Sequence, residues 1–132
     1  ATALRLPRVE AAMTRIMGQA MFATGSNSSG GFFMAIDPAR EMPLYNFFLR
    51  SIVSGRLFDT ADGRGILVGA GMAAKLNLRL GKKVIVTMTG KHGELTSELL
   101  RVSGIFKTGD NSADHHLTLL PLDRVRRILN YG

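Results

Sequence analysis

The segment at residues 65–86, GILVGAGMAAKLNLRLGKKVIV, constrains the fold of this chain more than any other part of it. The short apolar run at 65–69 predicts a buried strand, and the apolar spacing over 71–78 predicts a short helix. Gly81 then predicts a turn, and Val84 begins a second strand. A strand, a short helix and another strand therefore follow one another with little intervening loop.

A glycine motif lies at the start of this helix. Residues 69–74, GAGMAA, fit the G-x-G-x-x-G/A pattern of dinucleotide sites and directly follow a predicted strand. Such a site requires a helix long enough to cross a sheet and an acidic residue at the end of the next strand. Here Gly81 ends the helix early, and Glu94 lies beyond a second glycine turn. We therefore interpret the glycines as turn and packing positions, with a nucleotide-dependent enzyme as the less favoured alternative.

The composition indicates a single folded domain. The chain has 132 residues, of which 45% are hydrophobic and 20% charged, and this length suits one domain with a buried core. Its longest apolar runs, such as 31–36 and 65–74, are much shorter than the roughly 20 residues of a membrane span. The first residues also lack the apolar stretch of a signal peptide. We expect the chain as given to be soluble, by itself or as a soluble piece of a larger protein.

The formal net charge of +7 requires a nucleic-acid partner to be considered. The basic residues are spread over the whole sequence, with short clusters only at 82–83 and 124–127. Single-strand binders interleave such charges with exposed aromatic residues, whereas the aromatic residues here have apolar neighbours. We interpret the charge as a basic, solvated surface and predict no nucleic-acid partner.

Residues that could carry catalysis are scarce. The chain has no cysteine, which excludes disulfides and thiolate metal sites. His115 and His116 are adjacent, and neighbours on a strand point to opposite faces, so this pair is poorly placed to bind one ion. No serine lies in a nucleophile-elbow pattern. The sequence therefore predicts no catalytic residue, no metal site and no cofactor.

The first half of the chain contains three further predicted elements. By periodicity, residues 9–22 fit either a helix or a strand. Residues 32–36 read as a strand. A helix is predicted over 43–53, with Pro43 at its start and Gly55 as its stop.

The second half predicts a hairpin, a loop, a strand and a helix. Strands at 84–89 and 94–106 form a hairpin around residues 90–93, with a bulge or bend at Gly104. A polar loop at 107–115 precedes a strand at 116–120. The terminal helix begins after Pro121 and has its apolar residues on one face. The whole chain is predicted to be α+β, without an internal repeat.

Five short motifs occur in an order that is typical of one known family. Residues 35–38, AIDP, match a G-[IV]-[DN]-P element except at Ala35, and a helix and a Gly-Arg pair at 55–56 come next. Residues 66–84 fit the pattern I-L-G-x-x-L-A-x-x-L-x-x-x-x-G-x-x-[IV] at Ile66, Leu67, Val68, Gly69, Met72, Ala73, Leu76, Gly81 and Val84. Residues 102–106, VSGIF, match V-x-G-[IV]-F, the Thr-Gly pair at 108–109 and Asp114 match its Thr-Gly and later acidic residue, and 120–129 match the closing element. In these motifs the chain resembles the extracytoplasmic domain of FtsX/MacB-type ABC transporter permeases, especially the lipoprotein-releasing LolC/LolE kind.

This resemblance implies a MacB-like periplasmic core domain over residues 1–132, with a small bent β-sheet or partial barrel and short helices. Residues 1–36 and 116–132 correspond to porter-like elements, and 44–109 to a sabre-like, β-rich part. The segment 9–22 becomes a strand. Since the family domain continues past the equivalent of Gly132 with a further strand-helix-strand, the resemblance also implies that this chain lacks that part.

The implied function is binding and transmission of conformational change, without catalysis. The domain would be the periplasmic part of a permease embedded in the inner membrane, working with a cytoplasmic ATPase and a second permease subunit, and contacting a substrate such as a lipoprotein or a periplasmic partner. LolC-like members recruit a carrier through a long, proline-containing hook between the two strands of the hairpin. Here that connection is residues 90–93 and has no proline, which favours a LolE-like or generic permease role.

In the resembling permeases, partners engage connections at the ends of the sheet, because loops on a rigid scaffold can vary without loss of the core. The candidate partner-binding residues are Lys91, His92, Lys107, Asp110, Asp114 and His115. All are polar and lie near glycines, so we expect them to be exposed and expect their replacement to cost little stability. A free-standing small β-barrel binding module with a basic surface remains the main alternative.

Overall fold

The computed structural model describes residues 15–39, 47–58, 60, 63–90 and 93–129. Its strands are β1 (Arg15–Ala23), β2 (Ser28–Ile36), β3 (Ile52–Gly55), β4 (Gly65–Gly69), β5 (Lys83–Thr89), β6 (Leu95–Phe106) and β7 (Leu117–Pro121). Its helices are α1 (Phe47–Arg50), α2 (Ala70–Leu76), α3 (Asn111–His116) and α4 (Leu122–Ile128).

The strands form one sheet that closes on itself. Their order is β3-β6-β4-β7-β2-β1-β5, and an additional pairing joins β5 to β6. Every strand except β3 therefore belongs to a ring. Strand β6 allows this closure because its first half pairs with β5 and its second half with β4 and β3. The predicted α+β class with a bent sheet and short helices is confirmed, and the segment at 9–22, which periodicity left open between helix and strand, is strand β1 from Arg15 onward.

The bend of β6 is a β-bulge. Ile66 of β4 pairs with Val102, but the next residue, Leu67, pairs with Gly104, so Ser103 is the extra residue. A Cβ atom added to Gly104 would lie 2.5 Å from the carbonyl oxygen of Arg56. A glycine is therefore required at this point, as the predicted bulge or bend implied.

One apolar cluster combines side chains from the six ring strands, α2 and α4. Met72 and Leu76 are one turn apart on α2 and are only 0% and 1% exposed, whereas Lys75 and Arg79 are exposed. This is the orientation that their spacing predicts. On α4, the predicted apolar face is buried in the same cluster.

A second, smaller cluster lies on the other face of β2, β4, β6 and β7, where α1 and Phe58 cover the sheet. The rings of Phe48 and Phe106 meet edge to face, with centroids 5.4 Å apart. The sheet is therefore covered on both faces in this part of the ring.

The helix predicted at 43–53 is the main error in secondary structure. Residues 43–46 lie outside the described residues, α1 covers only Phe47–Arg50, and Ile52–Gly55 is strand β3. β3 pairs with the end of β6, and β-branched residues such as Ile52 and Val53 suit a strand. Gly55 does end this segment, with φ at 68°.

Candidate functional site

The predicted polar loop at 107–115 contains helix α3. Asp110 begins this helix, because its Oδ2 accepts a hydrogen bond from the Ala113 N–H at 2.9 Å. Gly109, with φ at 90°, turns the chain just before it. In the sequence, Asp110 was the available signal for a helix start. The helix has only six residues, which are too few to show an apolar period.

Asp114 lies on α3 but does not face solvent. Its side chain is 6% exposed, and its Oδ1 accepts hydrogen bonds from the N–H and the hydroxyl of Thr108, both at 2.8 Å. Its Oδ2 accepts a third, from the Gly109 N–H at 2.9 Å. Burial acts to raise the pKa of Asp114, but these hydrogen bonds and the nearby His115 outweigh it and lower the pKa. The expectation that Asp114 is exposed is therefore wrong, because its carboxylate ties the turn at 108–109 to α3.

The other candidate residues separate into two groups. Lys107, Asp110 and His115 are exposed and lie together on the elbow formed by the end of β6 and α3. Lys91 and His92 lie outside the described residues. A partner-binding role for the exposed residues remains a prediction.

The two glycines of the G-x-G motif are in contact with α3. A Cβ atom added to Gly69 would collide with the carbonyl oxygen of Asp114, and one added to Gly71 would collide with the His115 ring. Helix α3 therefore packs against the start of α2, where a dinucleotide site would need room for a pyrophosphate. This contact supports the packing interpretation of the motif.

The described residues contain neither a metal-ligand group nor a helix that could span a membrane. No group of three or more His, Asp or Glu side chains is placed to hold a metal ion there. His115 and His116 lie in the last turn of α3, not on a strand, and their ring centroids are 6.4 Å apart. None of the helices in the described ranges is both long enough and apolar enough to cross a membrane.

Strands β2, β1, β5 and β6 have an outer surface that no other described element covers, and we call it the apolar face. Its large, partly exposed side chains are Met17, Met21, Phe32, Ile85, Leu95 and Leu99. A depression of about 700 Å³ opens on this face, between Phe32 and Leu95. Gly30 lines this depression, and a Cβ atom added to it would project into open space, with no atom within 4 Å. Sequence alternation shows which residues share a face of a strand but not whether another element covers that face.

A group of cations lies where β5 begins. Arg79, Lys82, Lys83 and Arg101 line a depression of about 420 Å³ together with Leu80 and Gly81. We call these six residues the basic shelf. Five of them are the consecutive residues 79–83, and the pairing of β5 with β6 brings Arg101 opposite Lys83.

Comparisons with known proteins give one family by sequence and one similar fold among solved structures. The profile of the family described as "MacB-like periplasmic core domain" matches residues 1–131. Among solved structures, the chain is similar to the extracellular domain of the noncanonic ABC-type transporter YknZ from Gram-positive bacteria, with a TM-score of 0.63 and 14% sequence identity over 86% of this chain. The match covers 55% of that structure, so the chain spans about half its length. No curated protein matches the sequence.

Proposed function

The chain belongs to the MacB-like periplasmic core domain family, whose members are extracytoplasmic domains of ABC transporter permeases, and on this premise we propose a binding and coupling role without catalysis. The domain contacts a substrate or a partner protein outside the membrane and moves with the membrane helices of its parent permease. A cytoplasmic ATPase and a second permease subunit drive that movement. The resemblance to LolE-like permeases makes a lipoprotein the proposed substrate.

The observation that carries this proposal is the contrast between the rigid ring of strands and the apolar face. A ring that is closed by β5 and β6 and filled by one core cluster can move as a unit. On the same ring, Phe32 is 49% exposed and Leu95 76% exposed. Exposed apolar side chains grouped on one face mark sites where a protein or lipid docks. A rigid body with an uncovered contact surface suits a domain that passes motion to what it binds.

The test separates ATP hydrolysis from transport in the complete transporter. Phe32→Asp places a carboxylate on the apolar face, and the control variant Lys75→Asp places one on the exposed side of α2. We expect Phe32→Asp to reduce transport strongly while ATP hydrolysis continues, because the ATPase acts elsewhere in the assembly. Lys75→Asp should leave both unchanged.

Melting curves of both variants show whether the domain stays folded. If transport continues normally in a folded Phe32→Asp transporter, the apolar face has no part in coupling. If removal of the whole domain also leaves transport intact, the proposed function is wrong.

A further inference from the structure

The basic shelf concentrates positive charge that nothing in the described structure neutralises. None of its four cations forms an ion pair with a described carboxylate. Glu98 lies three residues from Arg101 on β6, but the alternation of the strand places it on the opposite face. There its Oε1 binds Arg64 at 2.9 Å and Arg124 at 3.4 Å. Within the described part of the chain, no carboxylate therefore offsets the positive charge of the shelf.

The backbone of the shelf is held firmly against β6. The Gly81 N–H donates to the Val102 carbonyl at 2.8 Å, and the Val102 N–H donates to the Lys82 carbonyl at 3.0 Å. The Arg101 guanidinium also donates to the Gly81 carbonyl at 3.3 Å. Gly81 has φ at 85°, a conformation that glycine adopts without strain. The backbone that carries the cations is therefore held in place by β6, which lowers the backbone entropy lost when a ligand binds.

Apolar side chains continue directly from the cations. Leu80 lies within the shelf and is 47% exposed. The cross-strand pair Lys83–Arg101 is followed on the same face by the pair Ile85–Leu99. The side chains of Ile85 and Leu99 are partly exposed. A ligand that lies along the hairpin thus meets positive charge first and branched aliphatic surface next.

We propose that the basic shelf, with Ile85 and Leu99, binds an acidic segment of a partner protein that also carries an aliphatic side chain. The inference rests on the proposed function, since it names the surface through which such a domain would contact a partner. Charge complementarity with the shelf requires a negatively charged ligand. The exposed Leu80 favours a ligand that also has an apolar side chain to pack against it. Single-stranded nucleic acid fits less well, because it requires aromatic stacking platforms and the shelf has none.

The first experiment measures binding of a fluorescently labelled peptide, with glutamates around a central leucine, to the 132-residue chain by anisotropy. Lys83→Glu reverses one charge on the shelf, and Lys75→Glu makes the same change on α2, so the two variants have equal net charge. We expect Lys83→Glu to weaken binding about tenfold, because it brings like charges into contact. Lys75→Glu should weaken binding much less than Lys83→Glu, because Lys75 does not line the shelf.

Two further arms test the chemistry of the ligand. Replacing the glutamates of the peptide by glutamines should abolish binding, and Leu80→Ser should weaken it even though the charge of the shelf is unchanged. Equal losses of peptide affinity in Lys83→Glu and Lys75→Glu would mean that binding depends only on the net charge of the domain. The shelf would then not be a binding site. Tighter binding of a single-stranded DNA of equal charge, lost in Lys83→Glu, would replace the proposal with a nucleic-acid site.

The outcome is independent of the coupling test. Failure of peptide binding, together with loss of transport in Phe32→Asp, would overturn the shelf proposal and leave the proposed function standing. Normal transport in Phe32→Asp and in the domain deletion, together with specific peptide binding, would overturn the transport role and leave the shelf as the site of an acidic partner.

Discussion

Asp114 and Thr108 are joined by two hydrogen bonds to a single carboxylate oxygen. The N–H and the hydroxyl of Thr108 both lie 2.8 Å from Asp114 Oδ1. Because the carboxylate is buried, water cannot easily replace it if it is removed. The turn after β6 and helix α3 are therefore held together by one side chain, and α3 in turn packs on the glycines of α2.

We predict that Asp114→Ala lowers the free energy of unfolding by about 2–3 kcal/mol, because hydrogen bonds to a charged group are lost and their donors are left without a partner. Asp110→Ala should cost about 1 kcal/mol, as for other helix caps. Lys107→Ala is the surface control and should stay within about 0.5 kcal/mol. Urea unfolding of the three variants measures these differences. A change in Asp114→Ala as small as that in Lys107→Ala would contradict the assigned role.

The lowered pKa of Asp114 also predicts how stability depends on pH. The folded-state pKa lies below the unfolded value, so the unfolded state binds the proton more readily and stability falls as pH falls. The contribution is fully present above the unfolded aspartate pKa of about 3.9 and is lost as pH drops through the lower folded value. Asp114→Asn should therefore be less stable than the unmodified chain at neutral pH, and the gap should narrow in acid. A gap that is constant between neutral and acid pH would show that the charge contributes nothing.

The glycines at the start of α2 should respond differently to substitution. In Gly69→Ala the new methyl group meets the backbone of α3, whereas in Gly71→Ala it meets the His115 ring. We expect Gly69→Ala to cost about 1–3 kcal/mol, in the range of overpacked sites. His115→Ala should rescue Gly71→Ala but not Gly69→Ala, because only the former collision involves a side chain. Equal rescue of both variants in a double-mutant cycle would refute the contact.

The same packing predicts that the domain binds no nicotinamide or flavin nucleotide. Helix α2 has seven residues, and α3 occupies the side of the glycine motif that a pyrophosphate would approach. Calorimetric titration with NAD or FAD should show no binding heat. A micromolar affinity, abolished by Gly71→Val, would restore the dinucleotide interpretation.

The sequence predicted those elements whose signal is local. The apolar period and the glycine turns indicate the strand at 65–69, its helix, the hairpin and the buried side of α4. The structure contains all of them. β3 was missed because Ile52 and Val53 fit a helical stripe as well as a strand, and only pairing with β6 decides between them. α3 was missed because six residues are too few to show an apolar period. The burial of Asp114 was missed because it depends on the contact with Thr108. The apolar face depends on which strands become neighbours, and so does the position of Arg101 beside residues 79–83 in the basic shelf. Spacing along the chain does not contain that information.

The last prediction concerns a hydroxyl in the core. Thr118 of β7 is 0% exposed, and its hydroxyl donates to the sulfur of Met72 at 3.5 Å, a weak hydrogen bond. Met72→Leu removes the acceptor and leaves a buried hydroxyl unsatisfied, which should cost about 1–3 kcal/mol. Thr118→Val removes the hydroxyl itself while keeping a similar shape, and should change stability by less than about 1 kcal/mol, because no partner is left behind. In the double variant, Thr118→Val should recover most of the loss caused by Met72→Leu, as unfolding in urea would show. If Thr118→Val were more harmful than Met72→Leu, the hydroxyl would have to stabilise the core through some contact other than the one with Met72.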